Sequence, residues 1–441
     1  MSENQAYGEK TWSKIEFSDL LTARKRDRVI GLTFPESDKA LGLEPSILHV
    51  LPPGDNVEYS LKNRDFNDGD VRQYLCSVYI SGYAEFRAWA GRHDRRKIVV
   101  GGYHPTVFPE QFEQYAAKIV RGPCDDLAAT LEQPGQIVNG IVTHRNLPRR
   151  DLYDLGYNQQ IIPDKRPEET VASINTSVGC NIRPPCDFCC TPVMCPKLLA
   201  RPIEFVEREL AQIAAYQPRY CFIRDENFTM QRDWAERIRL IHRYLPETRL
   251  YLFASANTLR EEGVRTLREN GVYMICLGLE DPTVEYRKNR HLDESVALLK
   301  RYGIYSYLSF IVDPTKVIGR EAANHFYARL QERFAQLLPE MVCGNFLMPF
   351  PGTALWDKYY QYVDEDDYRF YDSKTPFLIR NRVVRDKMRF FMFWNQWKYY
   401  TSDLYRERVR RFDTGDTLHR RFVELNAQFS QLYERIWNIR A

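Results

Sequence analysis

The sequence predicts an α/β protein in three parts: a doubly wound parallel sheet, a partial β/α barrel and a helical C-terminal region. Short strand-like segments alternate with helical periodicity from Arg28 onward. A second series, which begins near Val171, has about five or six strand–helix units, fewer than the eight of a closed barrel. After Thr353 the strand signals stop, and apolar residues recur at helical spacing.

The boundaries follow from where this alternation begins, pauses and ends. Over the 441 residues we expect a polar lead-in at 1–27, the doubly wound domain at 28–145, a linker rich in turn formers at 146–170, the partial barrel at 171–355 and the helical region at 356–441.

In the first part, apolar segments have the length and composition of buried strands. They predict strands at 29–32, 47–51, 77–81 and 97–100, and the spacing of Phe86, Trp89 and Ala90 predicts a helix at 83–93. Parallel sheets of this kind bind ligands beyond the carboxyl ends of their strands. Ser81 and the residues that follow Val100 are therefore candidate ligand contacts.

A glycine pair follows the fourth strand, in the run KIVVGGYHPT. Gly101 and Gly102 allow the backbone to turn sharply or to approach a large ligand closely. A purely structural turn explains the same pair, because such turns are common in α/β folds. His104 and Thr106 lie in the same loop, and Gly122 ends the next predicted strand.

The stretch 173–195 contains five cysteines and becomes a loop after a glycine at 179. Cys180, Cys186 and Cys189 have a C-x5-C-x2-C spacing, which can bring three thiolates to one soft metal centre. Structural zinc is one alternative, although it needs four ligands and no second cysteine or histidine pair follows. A disulfide knot is another, although it needs an oxidising compartment and nothing resembles a secretory signal. The third is an iron–sulfur cluster with three protein ligands and one open iron.

This loop resembles the cluster loop of the radical S-adenosylmethionine (radical SAM) enzymes. The usual pattern there is C-x3-C-x2-C with an aromatic residue before the third cysteine, here Phe188, and this chain has two extra residues near Pro184. The resemblance implies a 4Fe-4S cluster held by the three cysteines named above, with Phe188 beside S-adenosylmethionine (SAM). We expect Cys190 and Cys195 to be packing residues.

The second part continues with predicted helices at 202–216, 259–270 and 292–302 and strands at 220–223, 250–254, 273–279 and 307–312. Carboxylates at barrel strand ends face the active site, where they can accept hydrogen bonds from the methionyl amine of SAM. In the family that this run resembles, an Asp-Asp/Glu-Asn-Phe run contacts that amine, so the resemblance implies cofactor contacts from Asp225, Glu226 and Asn227. Glu226 is the preferred contact, and Asp225 serves the substrate or the loop. A helix N-cap by Asp225 or Asn227 with a solvated Glu226 is the alternative. Further contacts implied by the resemblance are Ser255, Asn257, Glu280 in the run GLED, and Gly352 in the run PFPGT.

The first part resembles the cobalamin-binding domain that is fused to many radical SAM enzymes. The resemblance rests on GGYHPT, the Pro-Glu helix start at 109–110 and the strand that ends at Gly122. The acidic tail of that strand motif is altered here, and the Asp-x-x-His-x-x-Gly motif that supplies histidine to cobalt elsewhere is missing. The resemblance therefore implies a Rossmann-like domain with water, another group or nothing on the lower face of cobalt. The residues implied near the corrinoid are Ser81, Gly101, Gly102, His104, Thr106 and Gly122.

Two apolar stripes, at 390–404 and 418–436, predict amphipathic helices that cover the barrel or each other. Seven arginines between 382 and 411 offer an alternative role in holding an acidic substrate or RNA. Interspersed acidic residues and a formal net charge of +3 argue against that role.

The composition predicts a cytoplasmic protein with reduced thiols, because ten cysteines occur without a signal peptide and no apolar run is long enough to cross a bilayer. We expect a cobalamin-dependent radical SAM enzyme that methylates an unactivated carbon of a small-molecule or peptide substrate, with an external one-electron reductant and no nucleic-acid partner. One alternative is a radical SAM rearrangement or cyclisation with an N-terminal domain that serves as scaffold. Another is a zinc-stabilised binding protein without catalysis.

Overall fold

A computed structural model describes residues 27–35, 44–60, 66–153 and 171–410. The lead-in at 1–26, most of the expected linker and the apolar stripe at 418–436 lie outside the described residues. Within the described ranges, no helix is both long and apolar enough to span a membrane.

The first sheet has six parallel strands in the order β2-β1-β3-β4-β5-β6. Alternate residues of β3 face two separate apolar clusters, with Tyr74 and Cys76 on one side and Leu75 on the other, so both faces of this sheet are covered. The strands are β1 (Arg28–Phe34), β2 (Val57–Tyr59), β3 (Val71–Val78), β4 (Ile98–Gly101), β5 (Lys118–Arg121) and β6 (Ile137–Asn139), and the helices are α1 (Tyr83–Ala90), α2 (Tyr103–Val107) and α3 (Leu127–Glu132).

The second sheet also has six parallel strands, in the order β14-β13-β12-β11-β10-β7, and its two end strands are not paired to each other. It is therefore an open barrel. Its strands are β7 (Val171–Ile174), β10 (Tyr220–Ile223), β11 (Arg249–Phe253), β12 (Val272–Glu280), β13 (Tyr305–Val312) and β14 (Met341–Phe346). A short antiparallel pair, β8 (Ser177–Val178) and β9 (Leu199–Ala200), flanks the cysteine loop.

Helices alternate with the strands of this second sheet and continue beyond it. They are α4 (Thr191–Met194), α5 (Ile203–Ala214), α6 (Trp234–Tyr244), α7 (Glu261–Glu269), α8 (Leu292–Arg301), α9 (Arg320–Leu337), α10 (Ala354–Tyr359), α11 (Arg382–Tyr400) and α12 (Asp403–Arg410).

One predicted strand was wrong, and another had the wrong bounds. The segment 47–51 belongs to a 3-10 turn, Ser46–His49, whose Ile47 and Leu48 are buried, and the second strand is β2. A short apolar run has no periodicity that separates a strand from a buried helical turn. The segment 77–81 ends its strand at Val78, so Ser81 lies in the 3-10 turn Ile80–Gly82.

A buried arginine from the expected linker joins the two sheets. Arg150 is 1% exposed and donates hydrogen bonds to Glu44 (3.0 Å), to Glu209 of α5 (2.7 Å) and to the backbone oxygen of Ser173 in β7 (2.8 Å). Neighbouring Glu44 and Glu209 raise the pKa of Arg150 although burial alone would lower it. This side chain therefore acts as a fixed tie between the sheets.

Helix α11 covers the open edge of β14. The Tyr400 hydroxyl accepts from the Val342 N–H (2.8 Å) and donates to the Val342 carbonyl (3.0 Å), and Gln396 Oε1 accepts from the Gly344 N–H (3.3 Å). Arg385 stacks over Phe370, at 4.8 Å from the ring centroid. These contacts support the covering role that the sequence predicts for this helix.

Candidate active site

The cysteine loop follows β8 with Gly179 at a φ of 85°. A Cβ at Gly179 would lie 2.3 Å from the Lys197 backbone oxygen, so this position requires glycine. Cys180, Cys186 and Cys189 are reduced and partly buried in the loop. Burial, followed by other contributions that include the neighbouring thiols, raises the pKa of both Cys186 and Cys189.

The three thiols of this loop are the donor type that holds an iron–sulfur cluster, in which each protein sulfur binds a separate iron. Within the described ranges, no group of three cysteine, histidine or acidic side chains is arranged to hold a single metal ion. Iron that replaces the thiol protons would also remove the burial penalty on the thiolates.

A cavity of about 790 Å³ lies between this loop and the ends of the barrel strands. Its walls include Cys186, Phe188, Ser255 and Asn257, which the sequence had singled out. The Asn257 side-chain amide donates to the Arg287 carbonyl (2.9 Å), while its Oδ1 is buried and has no hydrogen-bond partner in the described part of the chain. Asn257 therefore lines the cavity and carries a buried acceptor that no described group uses.

The acidic run after β10 is Asp225-Glu226-Asn227, of which the first and third residues are buried and the second is exposed. Asp225 is fully buried and accepts from the Thr176 N–H (2.6 Å), the Ser177 hydroxyl (2.7 Å) and the Gln231 amide (2.8 Å). Burial raises the pKa of Asp225, although these hydrogen bonds oppose the rise. Of the roles expected for Asp225, this geometry supports the one in loop structure.

The other two residues of the run face different ways. Asn227 is buried, and its Oδ1 accepts from the Ser255 N–H (3.1 Å), which links the ends of β10 and β11. Glu226 is exposed, and its charge is one of the contributions that raise the pKa of Cys189, after burial. Glu226 is therefore the member of the run placed to meet a ligand beside the cysteine loop.

Glu280 ends β12 with a φ of 59°, which a non-glycine residue rarely adopts. Its carboxylate forms an ion pair with Lys288, whose Nζ lies 5.5 Å from the centroid of the Phe188 ring. Burial alone would lower the pKa of Lys288, but Glu280 and the nearby Cys186 raise it. No local motif surrounds Lys288, so its sequence context did not mark it as a site candidate.

The glycine of the PFPGT run packs on the other end of the cysteine loop. A Cβ at Gly352 would lie 2.9 Å from Val193 of α4, and the Leu355 N–H donates to the Asp187 carbonyl (3.0 Å). The Pro351 carbonyl accepts from the hydroxyl of Tyr103 (2.9 Å), the first residue of α2. The PFPGT run is thus a loop after β14 that packs against the cysteine loop.

A second, smaller cavity of about 260 Å³ lies at the carboxyl edge of the first sheet. Gly101, Gly102 and Gly122 line it, as does the far side of the cysteine loop through Val178 and Met194. One loop thus forms part of the wall of both cavities.

Three other residues expected near this edge have different environments. Thr106 ties the two glycine loops together, since its hydroxyl donates to the Gly102 carbonyl (2.7 Å) and accepts from the Gly122 N–H (3.0 Å). Neither Ser81 nor His104 lines the smaller cavity.

The expected position of His104 in a ligand loop is wrong. The side chain is fully buried, bonds to Gln111 through Nε2 (2.7 Å) and packs against Tyr83, with ring centroids 4.5 Å apart. Burial lowers the pKa of His104 to about 4. His104 belongs to the aromatic core. The preceding glycine pair suggested a ligand-binding loop, and nothing in the local sequence indicates that the side chain is buried.

Two residues that sequence reasoning missed also line the smaller cavity. The Nδ1 of His49 and the Nε of Arg201 are buried and have no hydrogen-bond partner among the described residues. Burial and then the charge of Arg201 hold the pKa of His49 well below its usual value. Neither residue lies in a motif that marks it in the sequence, and only the folded structure brings His49 and Arg201 to the same cavity.

Residues 174–313 match the family model described as the Radical SAM superfamily, and they are therefore a radical SAM domain. The fold is similar to that of TsrM, a radical SAM methyltransferase from Kitasatospora setae, solved with cobalamin and a 4Fe-4S cluster: the TM-score is 0.53 at 16% identity, over 76% of this chain and 78% of that chain. TsrM with tryptophan substrate and a SAM analogue gives a TM-score of 0.51 at 16% identity, over 74% and 75% of the two chains. At this identity the likeness concerns the fold. No curated protein matches the chain.

Proposed function

Because residues 174–313 are a radical SAM domain, we propose that this radical SAM enzyme uses cobalamin to methylate an unactivated carbon of a small-molecule or peptide substrate. The observation that carries the proposal is the cysteine loop shared by two cavities, with Cys186 and Phe188 on the larger and Val178 and Met194 on the smaller. The fold likeness to a methyltransferase solved with cobalamin, and separately with tryptophan, supports the cofactor and a small substrate.

The residues of the chain divide the work between the two cavities. When bound, the cluster and SAM supply carbon-radical chemistry, and cobalamin supplies a methyl group carried on cobalt. Cys180, Cys186 and Cys189 would hold the cluster, and Glu226 and the Glu280–Lys288 pair would orient the charged amino-acid end of SAM. The electron that starts each turnover would come from an external reductant.

The first-sheet topology supports the corrinoid part of the proposal. Its strand order reverses between β1 and β3, and ligands of open parallel sheets bind at such a switch point. The glycine loops after β4 and β5 line a cavity at that same edge. This is the placement expected for a doubly wound, Rossmann-like cobalamin domain.

Iron content and SAM cleavage test the cluster assignment. We expect the anaerobically purified protein to hold about four irons and little zinc per chain. Replacing Cys180, Cys186 and Cys189 together by alanine should abolish both the iron and the reductive cleavage of SAM. The matched control replaces Cys190 and Cys195, which lie in the same loop, and should retain both. Cleavage that survives the triple replacement would refute the assignment.

A second candidate is a radical SAM enzyme whose first sheet is a scaffold without cobalamin. The specific observation in its favour is size, since the smaller cavity is less than a corrinoid needs, and its walls must separate for one to enter. Absorption spectra after incubation with cobalamin and gel filtration decide between the two. Corrinoid bands that co-elute with the protein support the first candidate, and their absence supports the second.

A further inference from the structure

The wall of the larger cavity carries more positive than negative charge. Five cationic side chains line it, against the two carboxylates of Asp187 and Asp313. The Asp313 carboxylate is already engaged, since its Oδ1 accepts from the N–H (2.9 Å) and the hydroxyl (2.7 Å) of Thr315. The wall therefore holds cations that its own carboxylates do not neutralise.

Three of the five cations are held by other groups of the chain. Lys288 forms an ion pair with Glu280, and the Nζ of Lys316 lies 3.6 Å from the Asp281 carboxylate. The Arg183 guanidinium donates to three backbone carbonyls at 2.6–3.3 Å within the cysteine loop and just after it. These three side chains have partners that account for their positions.

Arg287 is the first of the two cations that remain. It begins the 3-10 turn Arg287–Asn289 after β12, and its carbonyl accepts from the Asn257 side-chain amide (2.9 Å), so its backbone is fixed at the cavity wall. Its guanidinium is exposed and forms no hydrogen bond or ion pair with the described part of the chain. The planar fork of a guanidinium matches the two oxygens of a carboxylate or phosphate.

Lys358 is the second remaining cation. It lies on α10, in the segment after β14, and its Nζ stands 4.7 Å from the centroid of the Tyr359 ring. The Tyr359 hydroxyl is 3.4 Å from the Thr315 hydroxyl, so α10 ends beside the loop that follows β13. Among the described residues, no carboxylate forms an ion pair with Lys358. Its charge, like that of Arg287, is open to a ligand.

SAM does not supply the missing negative charge. It carries a sulfonium and an ammonium group against one carboxylate, and Lys288 stands beside the cysteine loop to meet that carboxylate. The cavity of about 790 Å³ lies in the upper part of the range of about 300–1,000 Å³ for small-molecule sites, which leaves room for a small substrate beside SAM. An anion that pairs with Arg287 and Lys358 therefore belongs to the substrate.

We propose that the substrate carries a carboxylate or phosphate group, which Arg287 and Lys358 bind at the exposed rim of the larger cavity. The inference rests on the proposed function and narrows it, because it names the chemical class of the substrate. Arg287 follows β12 and Lys358 follows β14, so an anion bound by both is tied to two separate strand ends, which orients the rest of the substrate.

Protection of Lys358 from acetylation tests the site without turnover. The protein with its cluster, saturated with SAM, is treated anaerobically with an N-hydroxysuccinimide acetate in inorganic phosphate, in succinate or in chloride at equal ionic strength, because salt alone screens exposed charges. Peptide mass spectrometry gives the acetylation rate of each lysine. We expect phosphate or succinate to slow acetylation of Lys358 about fivefold relative to chloride, and to leave the exposed Lys398 of α11 unchanged. The anion that protects more strongly identifies the group as phosphate or carboxylate.

Two variants connect the protection to the proposed pair. Arg287→Gln should lose it, whereas Arg290→Gln, an exposed arginine three residues along that does not line the cavity, should keep it. Protection by neither anion, or protection that persists in Arg287→Gln, overturns the anionic substrate and leaves the proposed function standing. Protection in a protein that does not cleave SAM overturns the proposed function and supports the anion site alone.

Discussion

Replacing Arg150 by methionine should weaken the whole molecule, because its four side-chain hydrogen bonds join the segment before the second sheet to β7 and α5. After the change, Glu209 keeps its ion pair with Arg201 (3.0 Å), but Glu44, which is 3% exposed, loses its cationic partner. An uncompensated buried charge of this kind typically costs about 3–5 kcal/mol. We expect the free energy of unfolding, measured by urea denaturation, to fall by that amount.

A second variant checks the cause of the loss. Arg150→Met combined with Glu44→Gln removes the stranded charge as well, and it should recover more than half of the lost free energy. Arg96→Met is the control for loss of an arginine, since the Arg96 side chain is 84% exposed and pairs with Asp94 at the surface. A loss below about 1 kcal/mol for Arg150→Met, or no recovery in the double variant, would refute the reasoning.

Three further predictions concern the cysteine loop, the larger cavity and the aromatic core. Gly179→Ala should abolish iron binding, because the added Cβ would lie 2.3 Å from the Lys197 backbone oxygen. Gly303 has a similar φ of 67° with open space around it, so the control Gly303→Ala should keep the iron. Equal iron contents in the two variants would contradict this prediction. Lys288→Gln should weaken SAM binding about tenfold, measured by isothermal titration calorimetry, because a partly buried cation beside the cysteine loop is lost. Lys316 is more exposed, so the control Lys316→Gln should change SAM binding little. The reverse ranking would disprove a role of Lys288 in SAM binding. In the folded protein the pKa of His104 is about 4, below the 6.5 of the unfolded chain. The unfolded state therefore binds more protons between these two pH values, and the free energy of unfolding should fall as the pH drops from 6.5 to 4. His104→Phe should flatten this part of the pH profile measured by urea unfolding, and an unchanged slope would contradict the prediction.

Local patterns allowed much of the second sheet to be predicted. Strand 220–223 coincides with β10, and the helix predicted at 292–302 differs from α8 by one residue at its end. Both segments have a clear periodicity and a turn former beyond it, which are properties of the sequence itself. Helix α9 and strand β14 were not predicted, and β14 contains Gly344 and Asn345 where a strand signal was needed.

The candidate site residues also differ in whether a local sequence pattern marks them. The thiol spacing and the acidic run after β10 are contiguous in sequence, so the loop and Glu226 could be predicted as site candidates without a structure. Lys288, Arg201 and His49 acquire their surroundings from elements far away in the chain, and no local pattern marks them. Asp225 combines both cases. Its position at a strand end could be predicted from the sequence, but its hydrogen bonds come from Thr176 and Ser177, which follow the neighbouring strand β7.

The last strand of the second sheet has a consequence for association between molecules. An uncovered strand offers a row of amide and carbonyl groups that a second polypeptide can extend into a continuous sheet. Here Tyr400 and Gln396 already occupy groups of Val342 and Gly344, and the aromatic body of α11 stands in the way. The protein thus blocks strand addition on that flank with side-chain hydrogen bonds from α11.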